Sequence, residues 1–491
     1  MSVLDRDLHI GVDSRSIYGG KMSVAIWWIR RDLRLSDNQA LAAALSQADI
    51  VVPLFILDPR LLNGRHASPV RNAFLFDGLR SLEAALRQRG STLIVRKDNP
   101  KEELHRVYHE TGATAIFAEA DVSPYARRRD ESVQRELPLT LTPGVTVHTH
   151  HKVEKPDDTP YTVFTPFSQK WKNLPAPGKP LAPPEHFTLL PTLTSMAIPQ
   201  SPILQGIAGF KAGESEASHR LAAFIDADIT HYAEARDRMD LAATSGLSPY
   251  LHFGMLSARQ AASAALSAYE EAGDALGRKG VESWLNELIW REFYASILYH
   301  FPFVIDIAFR SNLRNVPWRE DAPGFTAWKE GCTGYPVVDA GMRQLNTSGW
   351  MHNRARMLTA SFLVKDLLID WRKGEAYFMQ HLLDGDSASN NGGWQWTAGT
   401  GTDAAPYFRV FNPVLQGQKF DPHGAYVRHW VPELAAVPDE FIHTPWHMPV
   451  SLQQKIGCVI GKNYPAPIVD HASARQRVLE AYRKGKNEQC L

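Results

Sequence analysis

Short apolar runs alternate with amphipathic segments from Ser23 to about residue 151 of the 491-residue chain. Short apolar runs bounded by turn residues are typical of buried strands, whereas apolar positions at i, i+3 and i+4 are typical of helices. Strands are predicted at VAIWWI, IVVPLFIL, TLIVR, AIFAEA and TVHTHH (24–29, 50–57, 92–96, 115–120 and 146–151). Helices are predicted from a cap at 36–38 through Leu45, and near 70–88, 101–112 and 124–136. This alternation predicts a parallel sheet with helices on both faces.

The second half of the chain has a different pattern. After about residue 214 the apolar positions follow helical spacing almost without exception, and the last helix is predicted near 472–484. Residues 175–202 contain eight prolines and little periodicity, which indicates an extended connector. The predicted organisation is a disordered leader, a Rossmann-like α/β domain, a linker and a large all-helical domain (1–21, 22–152, 153–213 and 214–491). Met22 is an alternative start.

Composition narrows the class of protein. The apolar fraction is 44% and the charged fraction 22%, as in a globular protein, and no apolar run is long enough to span a membrane. Three scattered cysteines and a leader without an apolar core favour the cytoplasm. Lys plus Arg equals Asp plus Glu, at 53 each, so any contact with nucleic acid requires a local basic patch.

Eight of the 13 tryptophans lie between Trp284 and Trp396, which marks this region as a candidate site. In WLNELIWREF (284–293), helical spacing places Trp284, Glu287 and Arg291 on one face, with Trp290 beside them. Charged residues in an aromatic stripe are costly unless they are paired or face a ligand. An internal ion pair at the edge of a helix bundle explains this segment equally well.

A second candidate segment is GWMHNRARMLTASFL (349–363). Helical spacing places Asn353, Arg356 and Met357 on one face, with Arg354 about a quarter-turn away. Asparagine is unfavourable in mid-helix, so Asn353 is expected to have a specific partner. Arg356 could donate hydrogen bonds to a phosphate or to an acceptor on a ring edge, and Arg354 to a DNA phosphate. The alternative is a basic helix face exposed to solvent, which an isolated R-x-R pattern usually indicates.

The third segment, DGDSASNNGGWQWTAGTGTD (384–403), is too polar for a core and too aromatic for a linker. We expect a ligand-binding loop in which Asp384 and Asp386 accept hydrogen bonds while Trp394 and Trp396 offer stacking faces. Upstream, TSGLS (244–248) combines small hydroxyl residues with a glycine ahead of a helix, a weak signal for a pyrophosphate site.

These segments, together with TGYPVVDAGMRQLNTSGWMHNRARM and DAAPYFRVFNP, resemble class I cyclobutane pyrimidine dimer photolyases of the photolyase–cryptochrome family. The resemblance extends from about Met22 to the C-terminus. It implies a helical domain that binds reduced FAD, folded back on itself, and that repairs pyrimidine dimers in ultraviolet-damaged DNA with blue or near-ultraviolet light. The absence of G-x-G-x-x-G after the first strand is consistent with a flavin that is not bound in the Rossmann manner.

The resemblance also implies residue roles. FAD would be held by Tyr232, Thr244, Ser245, Gly246, Leu247, Ser248, Trp284, Arg291, Asn353, Arg356, Asp384, Gly385, Asp386 and Asn390. Asn390 would lie beside flavin N5 and favour the reduced form. The damaged DNA would contact Glu287, Trp290, Arg291, Arg354, Met357 and Trp396. Among these, Glu287 would hydrogen-bond the flipped-out dimer between aromatic walls, and Arg354 would hold the damaged strand.

Trp394, Trp371 and Trp318 match a relay of tryptophans that carries electrons from the surface to the flavin, although by spacing alone each is a core residue. An antenna pigment, 8-hydroxy-deazaflavin or methenyltetrahydrofolate, is expected in the α/β domain. We expect no metal, because on a strand His148 and His150 share a face without a third ligand. A monomer in the cytoplasm, associated with the nucleoid during repair, is expected.

Two alternatives remain within the family. A (6-4) photolyase would carry further histidines in the GWMHNRARM helix, where this chain has Asn353 and Met357. A cryptochrome, which senses light without repair, often replaces the asparagine that this chain keeps at Asn390. Dimer repair is therefore the favoured prediction.

Overall fold

The computed structural model describes residues 22–188, 193–202 and 209–487. The predicted leader and residues 488–491 lie outside these ranges. Near the N-terminus a sheet of parallel strands has the order β3-β2-β1-β4-β5. Its strands are β1 Val24–Ile29, β2 Ile50–Leu57, β3 Ile94–Lys97, β4 Ala115–Glu119 and β5 Leu139–Thr142. The order reverses between β1 and β4, so the loops that follow these two strands meet at the carboxyl edge of the sheet.

The fifth predicted strand is wrong. The residues that pair with β4 are Leu139–Thr142, whereas the predicted strand at 146–151 runs into a 3₁₀ turn, His150–Val153. The true strand is a short alternating run between Pro138 and Pro143, which resembles a loop in the sequence. The predicted common face of His148 and His150 is therefore absent.

Four of the five described helices of the α/β domain agree with the predicted pattern, and a short helix after β2 was not predicted. They are α1 Gln39–Gln47, α2 Pro59–Leu62, α3 Pro69–Arg87, α4 Pro100–Thr111 and α5 Pro124–Gln134. A polar side chain caps each N-terminus by accepting a backbone N–H, and all but α1 begin at a proline. These local signals explain why the helix starts were readable from the sequence.

The two faces of the sheet belong to different cores. Along β1, Val24, Ile26 and Trp28 pack in a core confined to the α/β domain. Ala25, Trp27 and Ile29 point the other way, into a core that continues into the helical half of the chain. The sheet and the helical domain thus share one hydrophobic core.

The region predicted as a linker is partly helical. Helix α6, Phe164–Lys172, lies within it, and the Trp171 indole N–H donates to Glu292 Oε2 at 2.7 Å. Further along, the amide of Phe187 donates to Arg89 O and the amide of Met196 to Val95 O, both in the α/β domain. The predicted domain boundaries remain a prediction.

The rest of the described chain is helical. Its α-helices are α7 Glu214–Ala227, α8 Tyr232–Ala235, α9 Ser248–Phe253, α10 Ala258–Glu271, α11 Ala275–His300, α12 Ala322–Glu330, α13 Pro336–Ser348, α14 Asn353–Ser361, α15 Trp371–His381, α16 Ser387–Ala398, α17 Pro413–Phe420, α18 Ala425–Trp430, α19 Val450–Ile456 and α20 His471–Asn487. A π-helical turn, Phe362–Asp366, continues α14. Among the described residues, no helix has the length and apolar character needed to cross a membrane.

Candidate functional site

Helix α11 joins two segments that are distant in the sequence. Trp284 is buried on it, and the indole N–H donates to Ser245 Oγ at 3.4 Å. One turn after Glu287, Arg291 donates to the backbone oxygens of Val145 and Leu251 at 2.6 and 3.3 Å. The helical face predicted from spacing therefore contacts both the TSGLS segment and the α/β domain.

Glu287 is in an ion pair, the alternative that the sequence left open, but its partner Arg236 lies outside the WLNELIWREF segment. Arg236 Nη1 lies 2.7 Å from Glu287 Oε1, and the two side chains remain 28% and 29% exposed. Burial raises the pKa of Glu287 above its usual value, and Arg236 only partly offsets this effect. Arg236 also lies over the Tyr232 ring, 5.7 Å from its centroid. In the sequence, the i, i+4 spacing of Tyr232 and Arg236 indicates the contact between these two side chains.

Trp290 forms part of an aromatic wall. Its ring stacks on Phe164 with centroids 3.7 Å apart and an interplanar angle of 3°. Phe164 begins α6, in the region predicted as a linker, and its amide donates to Asp403 Oδ2 at 3.2 Å. The linker region therefore contributes a residue beside the predicted substrate wall.

The expectation of a mid-helix asparagine is wrong. Asn353 is the first residue of α14, and the preceding His352 caps the helix by accepting the Arg354 amide at Nδ1. The Asn353 amide lies 3.9 Å from Met357 Sδ, one turn away. The energetic argument for a special partner of Asn353 therefore does not apply, although the residue shares a face with Met357 as predicted.

Both arginines of α14 have defined partners rather than a solvated face. Arg354 pairs with Asp237 at 2.7 Å, and its guanidinium lies 4.3 Å from the centroid of the Phe420 ring. Arg356 Nη2 lies 2.8 Å from Asp384 Oδ2. The structure thus joins the second and third candidate segments through the Arg356–Asp384 pair.

The Asp384–Asp403 segment is mainly a helix, not the predicted loop. Asp386 caps α16 by accepting the amides of Ala388 and Ser389 at Oδ1. The glycines allow close packing: a Cβ added at Gly392 would lie 2.1 Å from the Tyr294 ring, whereas one at Gly393 would meet nothing within 4 Å. Glycine content, read as a loop signal, instead reflects helix packing.

Asp384 has hydrogen-bonding capacity left for a ligand. It is 6% exposed, and its buried Oδ1 has no hydrogen-bond partner among the residues that the structure describes. A buried carboxylate oxygen without a donor is costly, so a bound group with an N–H or O–H would be favoured here. This donor requirement fits the flavin nucleotide that the resemblance implies.

Asn390 faces a second acidic residue. Its Nδ2 donates to Glu375 Oε1 at 2.9 Å and to Glu375 O at 3.1 Å. Burial raises the pKa of Glu375 to about 7, although the Asn390 hydrogen bond opposes this shift. Glu375 lies on α15, and only the packing of α15 on α16 brings it to Asn390.

The TSGLS segment precedes a helix of only six residues, α9. Gly246 has φ +59°, a conformation that favours glycine, and Leu247 is buried. Thr244 and Ser245 are half-buried, and Ser248 is exposed at the start of α9. Phosphate binding by this segment remains a prediction, as does the role of the buried Tyr232.

The three predicted relay tryptophans belong to one cluster. Trp371 and Trp394 are buried in the core of the helical domain, and half-buried Trp318 packs at its edge. Trp318 also meets the Tyr482 ring edge-on at 5.9 Å. The relay remains a prediction. Trp396 is half-buried on α16, as a wall residue would be.

The three histidines after β5 meet aromatic rings. His150 lies against the Tyr299 ring with centroids 3.4 Å apart, and His148 meets Trp171 at 5.0 Å. Burial lowers the pKa of His150 to about 3. Within residues 22–188, 193–202 and 209–487, no group of three or more His, Cys, Asp or Glu is arranged to hold a metal ion.

The Arg356–Asp384 pair leads to a stability prediction. In Arg356→Gln, the Asp384 side chain, 2% exposed, loses the guanidinium that contacts it, and we expect a loss of about 3 kcal/mol in the free energy of unfolding. Urea unfolding measures this loss. Arg372→Gln is the control, because the Arg372–Asp370 pair is 44% and 16% exposed and should cost below about 1 kcal/mol. Equal losses in both variants would contradict the prediction.

Two family models match the chain. The model described as DNA photolyase matches residues 25–185, and the FAD binding domain of DNA photolyase matches residues 284–484. The first covers the sheet with its helices and the following segment with α6. The second covers the latter part of α11, α14 and α16, where the candidate site residues meet.

Similar proteins match over nearly the whole chain. A deoxyribodipyrimidine photo-lyase from Synechococcus is 40% identical over 93% of this chain and 95% of its own length. One from Escherichia coli is 41% identical over 95% of this chain and all of its own. The crystal structure of a bacterial class III photolyase from Agrobacterium tumefaciens has a TM-score of 0.90 at 36% identity, covering 96% of this chain and 100% of that one. The chain therefore belongs to the photolyase–cryptochrome family.

Proposed function

We propose that this chain repairs cyclobutane pyrimidine dimers in DNA, driven by blue or near-ultraviolet light, as a flavin-dependent carbon–carbon lyase. The reaction and the cofactor agree with the names of the relatives and the matched family models. The observation that carries the choice of dimer repair is Glu287, half-buried beside Trp290 on α11. A carboxyl group next to an aromatic wall suits the edge of an extruded base.

The lesion must leave the duplex to reach this site. Base-processing enzymes extrude their target nucleotide and recover part of the lost stacking on aromatic side chains. Trp290, Trp396 and Met357 form the walls in our proposal, with Phe164 supporting Trp290 from behind. Arg354 holds the backbone of the damaged strand, and the Asp237 pair orients its guanidinium.

Glu287 reads the edge of the dimer. Its side chain, 29% exposed, can reach the base edge, and in the protonated form the carboxyl group would donate a hydrogen bond that stabilises negative charge on the dimer during ring opening. Arg236 fixes the position of that carboxyl group. Reduced FAD, when held by the residues assigned to the flavin below, would supply a light-excited electron for splitting the cyclobutane ring and would take it back afterwards, with no net redox change.

The flavin side of the site uses the carboxylates at the start of α16. Asp384, oriented by Arg356, offers its unpartnered Oδ1 to a ring N–H or ribose hydroxyl. Asn390, oriented by Glu375, would face flavin N5 and favour the reduced form. We assign the phosphates and the ribityl chain to the TSGLS segment and Tyr232, and the remaining contacts to Trp284, Arg291, Asn353, Gly385 and Asp386.

We assign the chain to class I on the basis of its quoted motifs, although the Agrobacterium structure is a class III photolyase. We also propose a monomer without a metal, in the cytoplasm and at the nucleoid during repair. An antenna pigment, a deazaflavin or a folate, belongs to the α/β domain. Extraction of the pigment and its absorption spectrum distinguish the two.

Reversal of thymine dimers under blue light tests the proposed function. The protein with reduced FAD should restore the 260 nm absorbance of a dimer-containing oligonucleotide in the light and leave it unchanged in the dark. A (6-4) photoproduct oligonucleotide should remain unrepaired. Absence of reversal with reduced FAD bound would favour a cryptochrome, and repair of the (6-4) substrate alone would favour the other photolyase branch.

A further inference from the structure

We propose that Arg31, in the α/β domain, is a positioning residue for the flavin site, where its contact with Asp386 holds that side chain oriented toward FAD. The proposal deepens the proposed function and rests on its assignment of Asp386 to the flavin. Arg31 is 355 residues from Asp386 in sequence and lies in the loop after β1. Through Arg31, the α/β domain would have a role in flavin binding that is separate from the binding of any antenna pigment.

The Arg31 guanidinium is fixed through all its nitrogens. Nη2 donates to Asp386 Oδ2 at 2.8 Å, and Nη1 lies 3.3 Å from Asp121 Oδ2, in the loop after β4. Nε donates to the backbone oxygen of His252 at 3.0 Å. A planar guanidinium held at three points has a defined direction, which a lysine ammonium would lack.

The backbone of the loop is equally constrained. The amide of Leu33 donates to Phe253 O at 3.2 Å, so the β1 loop is hydrogen-bonded to the end of α9. Gly254 has φ +65°, and a Cβ added there would lie 1.8 Å from Arg31 O. The two halves of the chain are thus in direct contact beside Arg31, at the reversal point of the strand order.

The Asp386 carboxylate is held at both oxygens. Oδ1 accepts the amides of Ala388 and Ser389 at 3.0 Å each, and Oδ2 accepts from Arg31. An ionised carboxylate offers about four acceptor positions, so room remains for a donor from the flavin. The cap and the ion pair together fix the direction of that remaining position.

Charged and titratable groups surround Asp386 on every packed element. Arg31, His252 and Arg291 act on Asp386 directly, and the groups beyond them are Asp121 beside Arg31, Arg71 near His252 and Asp384, and Arg356 paired with Asp384. Burial alone would raise the pKa of Asp386, but Arg31, with smaller effects of His252 and Arg291, holds that pKa well below its usual range. Burial lowers the pKa of His252 to about 4, so at neutral pH Arg31 is the cation in contact with Asp386.

Loss of Arg31 therefore changes the pH dependence of flavin binding. A carboxylate with a lowered pKa supports binding at neutral pH and loses that support as pH falls through its folded-state pKa. Without Arg31, the largest of the effects that lower the pKa of Asp386 is removed, so this loss moves to higher pH. A purely structural defect would weaken binding at every pH alike.

The experiment measures FAD release from the loaded full-length protein between pH 8 and pH 5, by flavin fluorescence. We expect Arg31→Gln to hold FAD about tenfold less tightly at pH 5.5 than at pH 8, the effect of about one pKa unit, while the wild type changes little. Arg30→Gln is the matched control, because Arg30 lies in the same loop but pairs with Asp130 at 2.6 Å. It should show the pH profile of the wild type.

Two further variants separate the possible outcomes. Asp386→Asn keeps a capping side chain but cannot ionise, so it should weaken FAD binding and abolish the pH dependence of Arg31→Gln in the double variant. Wild-type affinity in Asp386→Asn would refute the flavin assignment of Asp386. Weak binding in Asp386→Asn, together with a pH-independent Arg31→Gln profile, would overturn the role of Arg31.

If Arg31→Gln does not fold, Arg31→Lys is the deciding variant. We expect the pH at which FAD binding weakens to rise by less than in Arg31→Gln, and an unchanged pH profile would overturn the proposal.

Discussion

Replacing Trp318 with phenylalanine is expected to abolish light-driven reduction of oxidised flavin in vitro while leaving FAD bound. Trp318 packs at the edge of the cluster that buries Trp371 and Trp394, and it is the most exposed of the three. Phenylalanine fills much of the same volume but is far harder to oxidise than tryptophan. Electron transfer from position 318 to the next tryptophan would therefore fail. Loss of the flavin absorption at 450 nm under blue light, with an external reductant, measures the effect.

The chain offers a matched control. Trp430 is also half-buried and packs against the same hydrophobic cluster, but it is not one of the three predicted relay residues. Trp430→Phe should therefore reduce its flavin at the wild-type rate. Photoreduction that survives in Trp318→Phe, or that disappears in both variants, would refute the relay assignment.

Most of the fold was predictable because its signals are local. Apolar runs of β-branched residues predict β1, β2 and β4, and polar caps followed by proline predict the helix starts. β5 was missed because its four residues, between two prolines, have little apolar character of their own. Pairing with β4, a tertiary interaction, makes them a strand.

The sequence names candidate site residues, but it predicts the conformation of two of their segments wrongly. Motif resemblance selects Asp384, Asp386 and Asn390, but glycine and asparagine content predicts a loop where α16 forms. The helix is stabilised by the Asp386 cap and by packing of Gly392 on Tyr294 and of Gly374 on Trp394. Close helix packing favours glycine as strongly as loops do, so composition alone does not distinguish the two.

The residues missed by sequence reading act over long sequence separations. Arg236, Phe164, Glu375 and Arg31 each contact a predicted site residue from another element. None lies within a motif that identifies the site, and no periodicity connects an arginine after β1 with a carboxylate before α16. Only the shared core of the two domains brings them together.

Glu287→Ala is expected to lower the repair yield per absorbed photon more than it weakens binding of damaged DNA. A hydrogen bond to a charged group contributes about 1.5–3 kcal/mol, so its loss should slow dimer splitting by about tenfold or more. DNA affinity depends largely on phosphate contacts elsewhere and should fall by less than about threefold. Repair yield under calibrated light, measured beside a binding titration in the dark, separates the two effects.

Glu282→Ala provides the control on the same helix. Glu282 is exposed and pairs with Lys172 at 2.6 Å on the surface, so its removal should change neither the repair yield nor the DNA affinity.

Glu287→Gln keeps the shape and the hydrogen-bonding capacity of the side chain but removes the charge that pairs with Arg236. If the role of Glu287 is to donate a hydrogen bond to the dimer, Glu287→Gln should keep most of the yield that Glu287→Ala loses. An unchanged yield in Glu287→Ala would refute the proposed role of this residue, because the variant has no side-chain hydrogen bond to the dimer.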